Sequence, residues 1–254
     1  MNQDLSNRTI AITRPTGQSE KLSAAIKNAG GTPFLFPLIS ITALNNYDVF
    51  DEATSNLEDY DWAIFISSNA VQNSLPRLQA KIKSLPKTLK FAAIGPTTAG
   101  ELKTFGIADV LIPKNRFDSE SLLSLPEMQN MAHQKVMIFR GVGGREILAE
   151  TLKARGAVVD FAESYQRINP QSQTKVLDDM WEKHALDAIV ITSSEAMRHL
   201  LEIAKNASWL KKIKVCVNHA RIAEEANHAG LNISIAETSG DEAMLQCLIK
   251  TLKD

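Results

Sequence analysis

The sequence lacks the features expected of a nucleic-acid or membrane protein. Its 254 residues carry a formal net charge of −1, whereas a nucleic-acid or membrane-surface protein is expected to present a basic face. No apolar run approaches the roughly 18 residues of a membrane-spanning helix. The first eight residues, MNQDLSNR, lack the charged-then-apolar pattern of a secretory signal. We therefore expect no nucleic-acid partner, no membrane contact and a cytoplasmic location.

Several cofactor and metal motifs are also missing. The glycine-rich turn Arg140–Gly144, called the glycine turn below, is not Gly-x-Gly-x-x-Gly because Glu146 occupies the last glycine position. No Walker lysine motif and no Gly-x-Ser-x-Gly elbow occurs. The two cysteines, Cys216 and Cys247, lie in an apolar segment and an amphipathic helix, as reduced core thiols do. The five histidines are scattered without metal-ligand spacing: His133, His184, His199, His219 and His228.

The sequence does contain an internal duplication. Two A segments, Arg8–Ile41 and Lys135–Arg167, each have the pattern of strand, helix and strand, and their matched positions keep an offset of 126 (140 − 14 and 156 − 30). Two B segments, Asp61–Pro113 and Asp187–Glu237, open with aligned residues at the same offset (193 − 67). A constant register across two separate segments indicates two related domains, which suits the chain length.

Strands and helices alternate along the whole chain, and no hairpin signal such as Asn-Gly occurs. The pattern is typical of doubly wound parallel α/β sheets, with about five strands per domain. The predicted strands are Thr9–Thr13, Phe34–Ile41, Ala63–Ile66, Phe91–Ile94, Val110–Ile112, Val136–Phe139, one ending on Tyr165, Ala188–Thr192, Lys214–Val217 and Ile233–Ala236. The predicted helices include Gln18–Ala29, Ser119–Gln129, Arg145–Arg155, Gln171–His184, Glu195–Ala204, Arg221–Ala229 and Asp241–Leu252.

The residues alone leave two ways to divide these segments between the domains. Two consecutive A-plus-B domains need one crossing, and the preference for short connections weakly favours them. Alternatively, the first A segment joins the last B segment and the middle B and A segments form an inserted domain. That arrangement needs two crossings, near residues 41 and 168. Pro37 inside the second predicted strand indicates an edge or a bend there.

Hydroxyl, glycine and arginine residues follow the predicted strands in both domains. Ligands of such sheets bind beyond the carboxyl ends of the strands, and helix N-termini there favour anions. We expect a polyanionic ligand held between two lobes, and an enzyme that works mainly by holding a reactive substrate in one conformation. The candidate ligand contacts are Arg14, Ser67, Ser68, Asn69, Gly95, Thr97, Thr98, Arg140, Gly141, Gly143, Gly144, Arg145, Ser193 and Ser194.

Tyr165 is the one residue at a strand end with useful acid chemistry. It falls near a crossing of the interleaved arrangement, and its hydroxyl can donate a hydrogen bond or a proton. An amphipathic aromatic packed at a domain junction would explain it equally well. Tyr165 is therefore the candidate catalytic residue.

At these residues the chain resembles the bacterial uroporphyrinogen-III synthases over nearly its whole length. The strongest part of the resemblance is the order of the motifs, with the arginine–glycine motif about 20 residues before Tyr165-Gln166-Arg167. The matching stretches are Thr13-Arg14-Pro15, Phe36-Pro37-Leu38-Ile39, Phe91–Ala99, Arg140-Gly141-x-Gly143-Gly144-Arg145-Glu146, Ala154-Arg155-Gly156-Ala157 and Tyr165-Gln166-Arg167.

The resemblance implies two flavodoxin-like domains joined by two extended linkers, one made of residues 1–40 and 168–254 and the other, inserted, of residues 41–167. It implies that the linear tetrapyrrole hydroxymethylbilane loses water and closes with its last pyrrole inverted, without metal or organic cofactor. By similarity, Tyr165 protonates the departing hydroxyl. A monomer in transient contact with the preceding deaminase is expected. The turn Asn218–Arg221 departs from the Gly-x-Thr-x-Ala type found in some members, so ligand contacts there carry less weight.

The rival interpretation is a two-lobed module that binds a tetrapyrrole or another polyanion without catalysis. Its motivation is the absence of any strong acid–base pair in the sequence. Intact Tyr165 and the glycine turn argue against it.

Overall fold

The computed structural model describes residues 4–82, 84–226 and 228–253 and divides the chain into two compact units. The terminal unit comprises Met1–Ser40 and Ile168–Asp254, and the inserted unit comprises Ile41–Arg167. The first A segment therefore shares a sheet with the last B segment, and the weak preference for consecutive domains was wrong. The segment MNQDLSNR, in which no secretory signal is expected, includes residues 1–3, and these three lie outside the described residues.

Eleven strands and ten α-helices occur in the described part of the chain. The strands are β1 Thr9–Ile12, β2 Thr32–Leu35, β3 Ser40–Thr42, β4 Trp62–Phe65, β5 Lys90–Ala93, β6 Val110–Leu111, β7 Lys135–Gly141, β8 Val158–Ile168, β9 Ala188–Ile191, β10 Lys214–Val217 and β11 Asn232–Ile235. The helices are α1 Glu20–Asn28, α2 Asp48–Ala53, α3 Ser68–Lys81, α4 Pro96–Thr104, α5 Ser119–Leu123, α6 Ile147–Ala154, α7 Lys175–Glu182, α8 Ser194–Ile203, α9 Ala220–Glu224 and α10 Asp241–Lys253.

The two sheets have the same order of repeated strands. The terminal unit has the order β11-β10-β9-β1-β2, and the inserted unit has β6-β5-β4-β7-β8 with β3 added beside β8. Pairing registers also repeat: Thr9 faces Thr32 and Lys135 faces Val158, both offset by 126 (135 − 9 and 158 − 32). The first order is that of flavodoxin-like doubly wound sheets. The predicted parallel α/β class is confirmed.

Apolar layers cover both faces of each sheet, which explains why its central strands are continuously apolar. In β9, Ile189 and Ile191 enter one core while Ala188 and Val190 enter the core on the opposite face. In β4 the residues alternate in the same way between two further cores. These buried strands fix the carboxyl-end loops in place.

The predicted single strand Phe34–Ile41 was wrong. It is two strands, β2 and β3, which lie at the edges of different sheets. Pro37 falls in the break, where its missing N–H removes a ladder hydrogen bond. The prediction of ten strands was therefore one short for the described residues.

Several predicted helices are shorter in the structure. The helix expected at Arg145–Arg155 begins at Ile147, and α5 ends at Leu123 with a separate 3-10 turn after it. The expected helix Gln171–His184 is α7, Lys175–Glu182. The expected helix Arg221–Ala229 ends at Glu224, and its residue 227 lies outside the described residues. Within the described ranges, no helix has both the length and the apolarity to cross a membrane.

Glycine ends the first helix of both A segments, as predicted. Gly30 has φ of 85° and Gly156 has φ of 91°. Glycine adopts these left-handed φ values readily, whereas a residue with a Cβ atom adopts them only at a cost in free energy. The turn is thus the same in the two copies within this chain.

A cluster of opposite charges in the inserted unit predicts acid-dependent stability. Asp51 accepts hydrogen bonds from Arg77 (2.6 and 2.5 Å) and pairs with Lys81. The hydrogen bond from Arg77, followed by that from Lys81, holds the pKa of Asp51 well below its usual range. A depressed carboxyl pKa stabilises the fold above the unfolded value of about 3.9, and this contribution is lost as the pH falls through the folded-state pKa.

We therefore expect Asp51→Asn to lower Tm near neutral pH. The difference from the native protein should shrink progressively below about pH 4. Thermal unfolding measured as a function of pH checks this, and a Tm difference that stays constant down to about pH 2 would contradict it.

Candidate active site

The strand order of the inserted unit gathers the candidate residues at one edge of its sheet. Strands β8, β7, β4 and β5 are successive neighbours. Their carboxyl-end segments hold Tyr165, the glycine turn, Ser67 and Gly95. Parallel strands end at the same edge, so the strand order brings these residues together at the carboxyl edge of the sheet.

Arg140 is almost completely buried at the base of the glycine turn, with 2% of its surface exposed. Its Nη1 donates to Glu146 Oε1 at 2.9 Å, its Nε lies 3.7 Å from Glu163 Oε1, and its guanidinium lies 4.5 Å from the Phe161 ring centroid. A buried guanidinium needs such partners. Arg140 thus holds the turn together from within.

The glycine turn depends on backbone conformations that favour glycine. Gly143 and Gly144 have φ of 69° and 113°, and the Gly143 N–H donates to Glu163 Oε1 at 3.1 Å. The Val142 N–H donates to the Tyr165 carbonyl at 2.8 Å, which ties the turn to β8. The turn is therefore positioned by groups of the unit itself.

The Tyr165 side chain is fully buried, with 0% exposure. Its hydroxyl lies 3.2 Å from Ser67 Oγ, and it accepts a hydrogen bond from Arg167 Nη2 at 3.4 Å. Its ring packs so closely on Gly141 that a Cβ atom there would lie 2.6 Å from Cε2. The one candidate acid is thus held in a fixed orientation.

A pocket of about 350 Å³ lies at this edge of the sheet, and two residues that contact the Tyr165 side chain, Gly141 and Arg167, line it. The walls combine apolar side chains with arginines and the glycine turn: Ile66, Ile94, Phe117, Asp118, Ser119, Ile138, Arg140, Gly141, Gly143, Gly144, Arg145, Leu148, Ala149, Phe161 and Arg167. Tyr165 and Ser67 are adjacent to lining residues but do not line the pocket themselves. Such a mixture suits a ligand with flat apolar rings and anionic substituents.

Arg167 and the segment Phe117–Ser119 line the pocket but were not predicted from the sequence. Arg167 follows Tyr165 by two positions on β8, so both side chains lie on one face of the strand. That spacing was a signal that could have found it. Phe117 could not be found this way, because it reaches the pocket from a loop and packs against Gly95.

The arginines of the pocket differ in how their charge is compensated. Arg140 pairs with Glu146, and Arg145 pairs with Glu120 at 2.5 Å. Arg167 has no carboxylate partner among the residues that the structure describes. An anionic ligand can therefore pair with Arg167 without displacing a carboxylate of the described residues.

The remaining candidates of the inserted unit lie at two helix N-termini. Ser67 caps α3, and its Oγ accepts from the Ala70 N–H at 3.1 Å, as the sequence predicted. Ser68 and Asn69 follow in the first turn and are partly exposed. At the start of α4, Thr97 is exposed whereas Gly95 and Thr98 are buried. Whether these residues contact a ligand stays a prediction.

The terminal unit brings Arg14 beside the end of β9. Arg14 Nη1 lies 2.5 Å from Asp241 Oδ1, and Nε donates to Thr192 Oγ1 at 3.2 Å. Ser193 caps α8 through the Ala196 N–H at 3.1 Å, which repeats the Ser67 cap. The Ser194 hydroxyl is buried and has no hydrogen-bond partner within the described residues. Arg14, Ser193 and Ser194 therefore form a second candidate set, within that unit.

Neither the cysteines nor the histidines form a candidate centre. Cys216 and Cys247 are free and buried, and the pKa of the Cys216 thiol is raised by its hydrogen bond to Cys247 and by burial. No cluster of three potential metal ligands occurs in the described part of the chain. His219 Nε2 lies 3.1 Å from Ser239 Oγ, at the turn that departs from the family pattern.

Comparison with known proteins agrees with the resemblance carried by these residues. Residues 20–246 match the family model described as uroporphyrinogen-III synthase HemD. The chain belongs to the uroporphyrinogen-III synthase family. A family member from Salmonella typhimurium is 33% identical over 94% of this chain and 99% of its own length, and one from Escherichia coli is 31% identical with the same coverage.

A solved structure of a family member supports the fold. The crystal structure of a mutant uroporphyrinogen III synthase from the extremely thermophilic bacterium Thermus thermophilus has a TM-score of 0.65 and 18% identity, and the match covers 97% of this chain and 99% of that chain. Identity at that level shows a shared fold. The two-unit α/β architecture is therefore that of the family.

Proposed function

We propose that this chain is a uroporphyrinogen-III synthase, a lyase of tetrapyrrole biosynthesis. It converts hydroxymethylbilane into uroporphyrinogen III by loss of water, ring closure and inversion of the last pyrrole. Membership of the family over nearly the whole chain supports this activity. The observation that carries the proposal is the Tyr165 hydroxyl, held between Ser67 and Arg167 next to a pocket with apolar walls and arginines.

The pocket chemistry suits part of this substrate. Pyrrole rings are flat and apolar and pack against side chains such as Phe117 and Phe161. The acidic substituents are best met by Arg167, which has no carboxylate partner among the described residues, and by Arg145, whose side chain is 62% exposed. Arg140 has a different role. It is buried and paired with Glu146, so it stabilises the glycine turn.

The chemical demand on the protein is small. The pyrrole nitrogen assists departure of the hydroxyl group, so one well-placed hydrogen-bond donor is enough for that step. The larger demand is control of conformation, because free hydroxymethylbilane closes spontaneously to the symmetric isomer. A rigid set of donors and ring contacts supplies that control by positioning the chain ends.

Feeding freshly made hydroxymethylbilane to the purified protein tests the proposal. Chromatographic separation of the ring isomers should show a large excess of isomer III over a no-protein control, without added cofactor. Isomer I alone, formed at the spontaneous rate by folded protein, would overturn the proposal. Tight tetrapyrrole binding in that case would identify the non-catalytic binding module instead.

The proposal also covers the cellular compartment, the oligomeric state and the source of the substrate. Two unpaired thiols fit a reducing compartment, so we place the enzyme in the cytoplasm. We propose that it acts as a monomer and takes its substrate from the deaminase that makes hydroxymethylbilane. Analytical ultracentrifugation alone and with that deaminase tests both points.

A further inference from the structure

The neighbours of the Tyr165 hydroxyl fix the direction in which its proton points. Arg167 has only donor groups, so the hydroxyl oxygen accepts from it. A buried hydroxyl also donates wherever an acceptor exists, because an unmade hydrogen bond in the interior is costly. Ser67 Oγ, at 3.2 Å, is the acceptor that the described residues supply. The Tyr165 proton is therefore directed to Ser67.

Ser67 is placed to pass a proton on. Its oxygen accepts from the Ala70 N–H and from Tyr165, which uses both lone pairs. Its own hydroxyl hydrogen then remains available to a third group. Ser67 is partly exposed at the carboxyl edge of the sheet, whereas Tyr165 has no exposed surface. Arg167, which donates to the Tyr165 hydroxyl, lines the pocket.

We infer that Ser67 is the residue that donates a proton to the substrate, and that Tyr165 resupplies Ser67. This inference rests on the proposed function. As the carbon–oxygen bond of the hydroxymethyl group breaks, the departing oxygen takes the Ser67 proton and leaves as water. Ser67 takes the Tyr165 proton, and the Arg167 guanidinium stabilises the negative charge left on Tyr165. The proton released from the pyrrole carbon after ring closure restores the tyrosine.

A double-mutant cycle on Ser67 and Tyr165 tests this relay. We expect Ser67→Ala and Tyr165→Phe each to lower kcat about 10²-fold, the range of a positioned acid. KM should change little. Because the two groups act in series, the kcat of the double variant should lie within about threefold of the kcat of either single variant. If the loss of kcat in the double variant equals the product of the two single losses, the relay is overturned. A Ser67→Ala variant with a near-native kcat would also overturn it.

Matched variants separate the relay from the capping role of Ser67. Ser67→Thr retains hydroxyl and cap and should recover kcat to within about threefold of the native value. Ser74→Ala, on the same helix, removes a buried hydroxyl that has no hydrogen-bond partner in the described residues and should leave kcat unchanged. Ser193→Ala removes the equivalent cap in the terminal unit, so its Tm shift shows the cost of a lost cap.

The outcomes for the relay and for the proposed function are distinguishable. If the native protein makes isomer III but Ser67→Ala does so equally fast, the relay is wrong and the proposed function stands. If the native protein makes only isomer I, the proposed function is wrong and the relay falls with it.

Discussion

Tyr165→Phe is expected to slow formation of isomer III by about 10²-fold while changing Tm only slightly. The substitution removes the hydroxyl that joins Ser67 to Arg167 but keeps the ring that fills the core beside Gly141. Loss of one hydrogen-bonded hydroxyl costs about 1 kcal/mol in stability. Initial rates with isomer analysis, alongside thermal unfolding, measure both effects.

Tyr60→Phe is the matched control for this change. Tyr60 lies in the same unit, and its hydroxyl donates to Asp160 Oδ2 at 2.8 Å. Burial and that hydrogen bond raise the pKa of Tyr60 to about 12, so it keeps its proton. Tyr60 does not line the pocket, and its variant should turn over at the native rate. A near-native rate for Tyr165→Phe itself would make backbone and hydroxyl positioning the main source of catalysis.

The repeated sheet architecture was predictable because it follows from local patterns. The offset of 126 seen in the sequence reappears in the pairing registers of both sheets. Continuous apolar strands and glycine stops are decided by neighbouring residues. Which A segment pairs with which B segment is decided by long-range contacts between near-identical patterns, so the residues alone left it open. The break at Pro37 matters here, since it allows the chain to leave one sheet and enter the other.

The candidate arginines were found from the sequence, but their partners were not. Arg14, Arg140 and Arg145 all looked available to an anion. In the structure each faces a carboxylate of its own unit, from Asp241, Glu146 and Glu120 respectively. Asp241 is 227 positions from Arg14 in the chain, so no local pattern reveals that pair. Their roles as substrate contacts stay predictions.

Burial was the other property that the sequence did not reveal. Tyr165 was identified as a possible acid, yet its complete burial and its contact with Ser67 depend on how β4, β7 and β8 pack. The cap role of Ser67 was predicted from its position before a helix. The contact of Ser67 with Tyr165 could not be predicted, because the two residues are 98 positions apart in the chain.

Gly141→Ala is expected to reduce both stability and turnover. A Cβ atom at this position would lie 2.6 Å from Tyr165 Cε2 and 2.7 Å from Cζ, well inside contact distance. The Tyr165 ring belongs to a packed core and has no exposed side toward which to yield. Overpacking of this kind costs about 1–3 kcal/mol. Displacing the hydroxyl by about 1 Å should also lower kcat about 10²-fold.

Gly100→Ala is also a change of glycine to alanine, but we expect it to raise stability where Gly141→Ala lowers it. Gly100 lies inside α4, and a Cβ atom there would meet nothing within 4 Å. Alanine in a helix interior is more favourable than glycine by about 0.5–1 kcal/mol, so this variant should be more stable with native turnover. Denaturant unfolding of both variants, with rates measured on the folded protein, compares them directly. If Gly141→Ala kept native stability and rate, the close packing of Tyr165 on the glycine turn would not be what holds its hydroxyl in place.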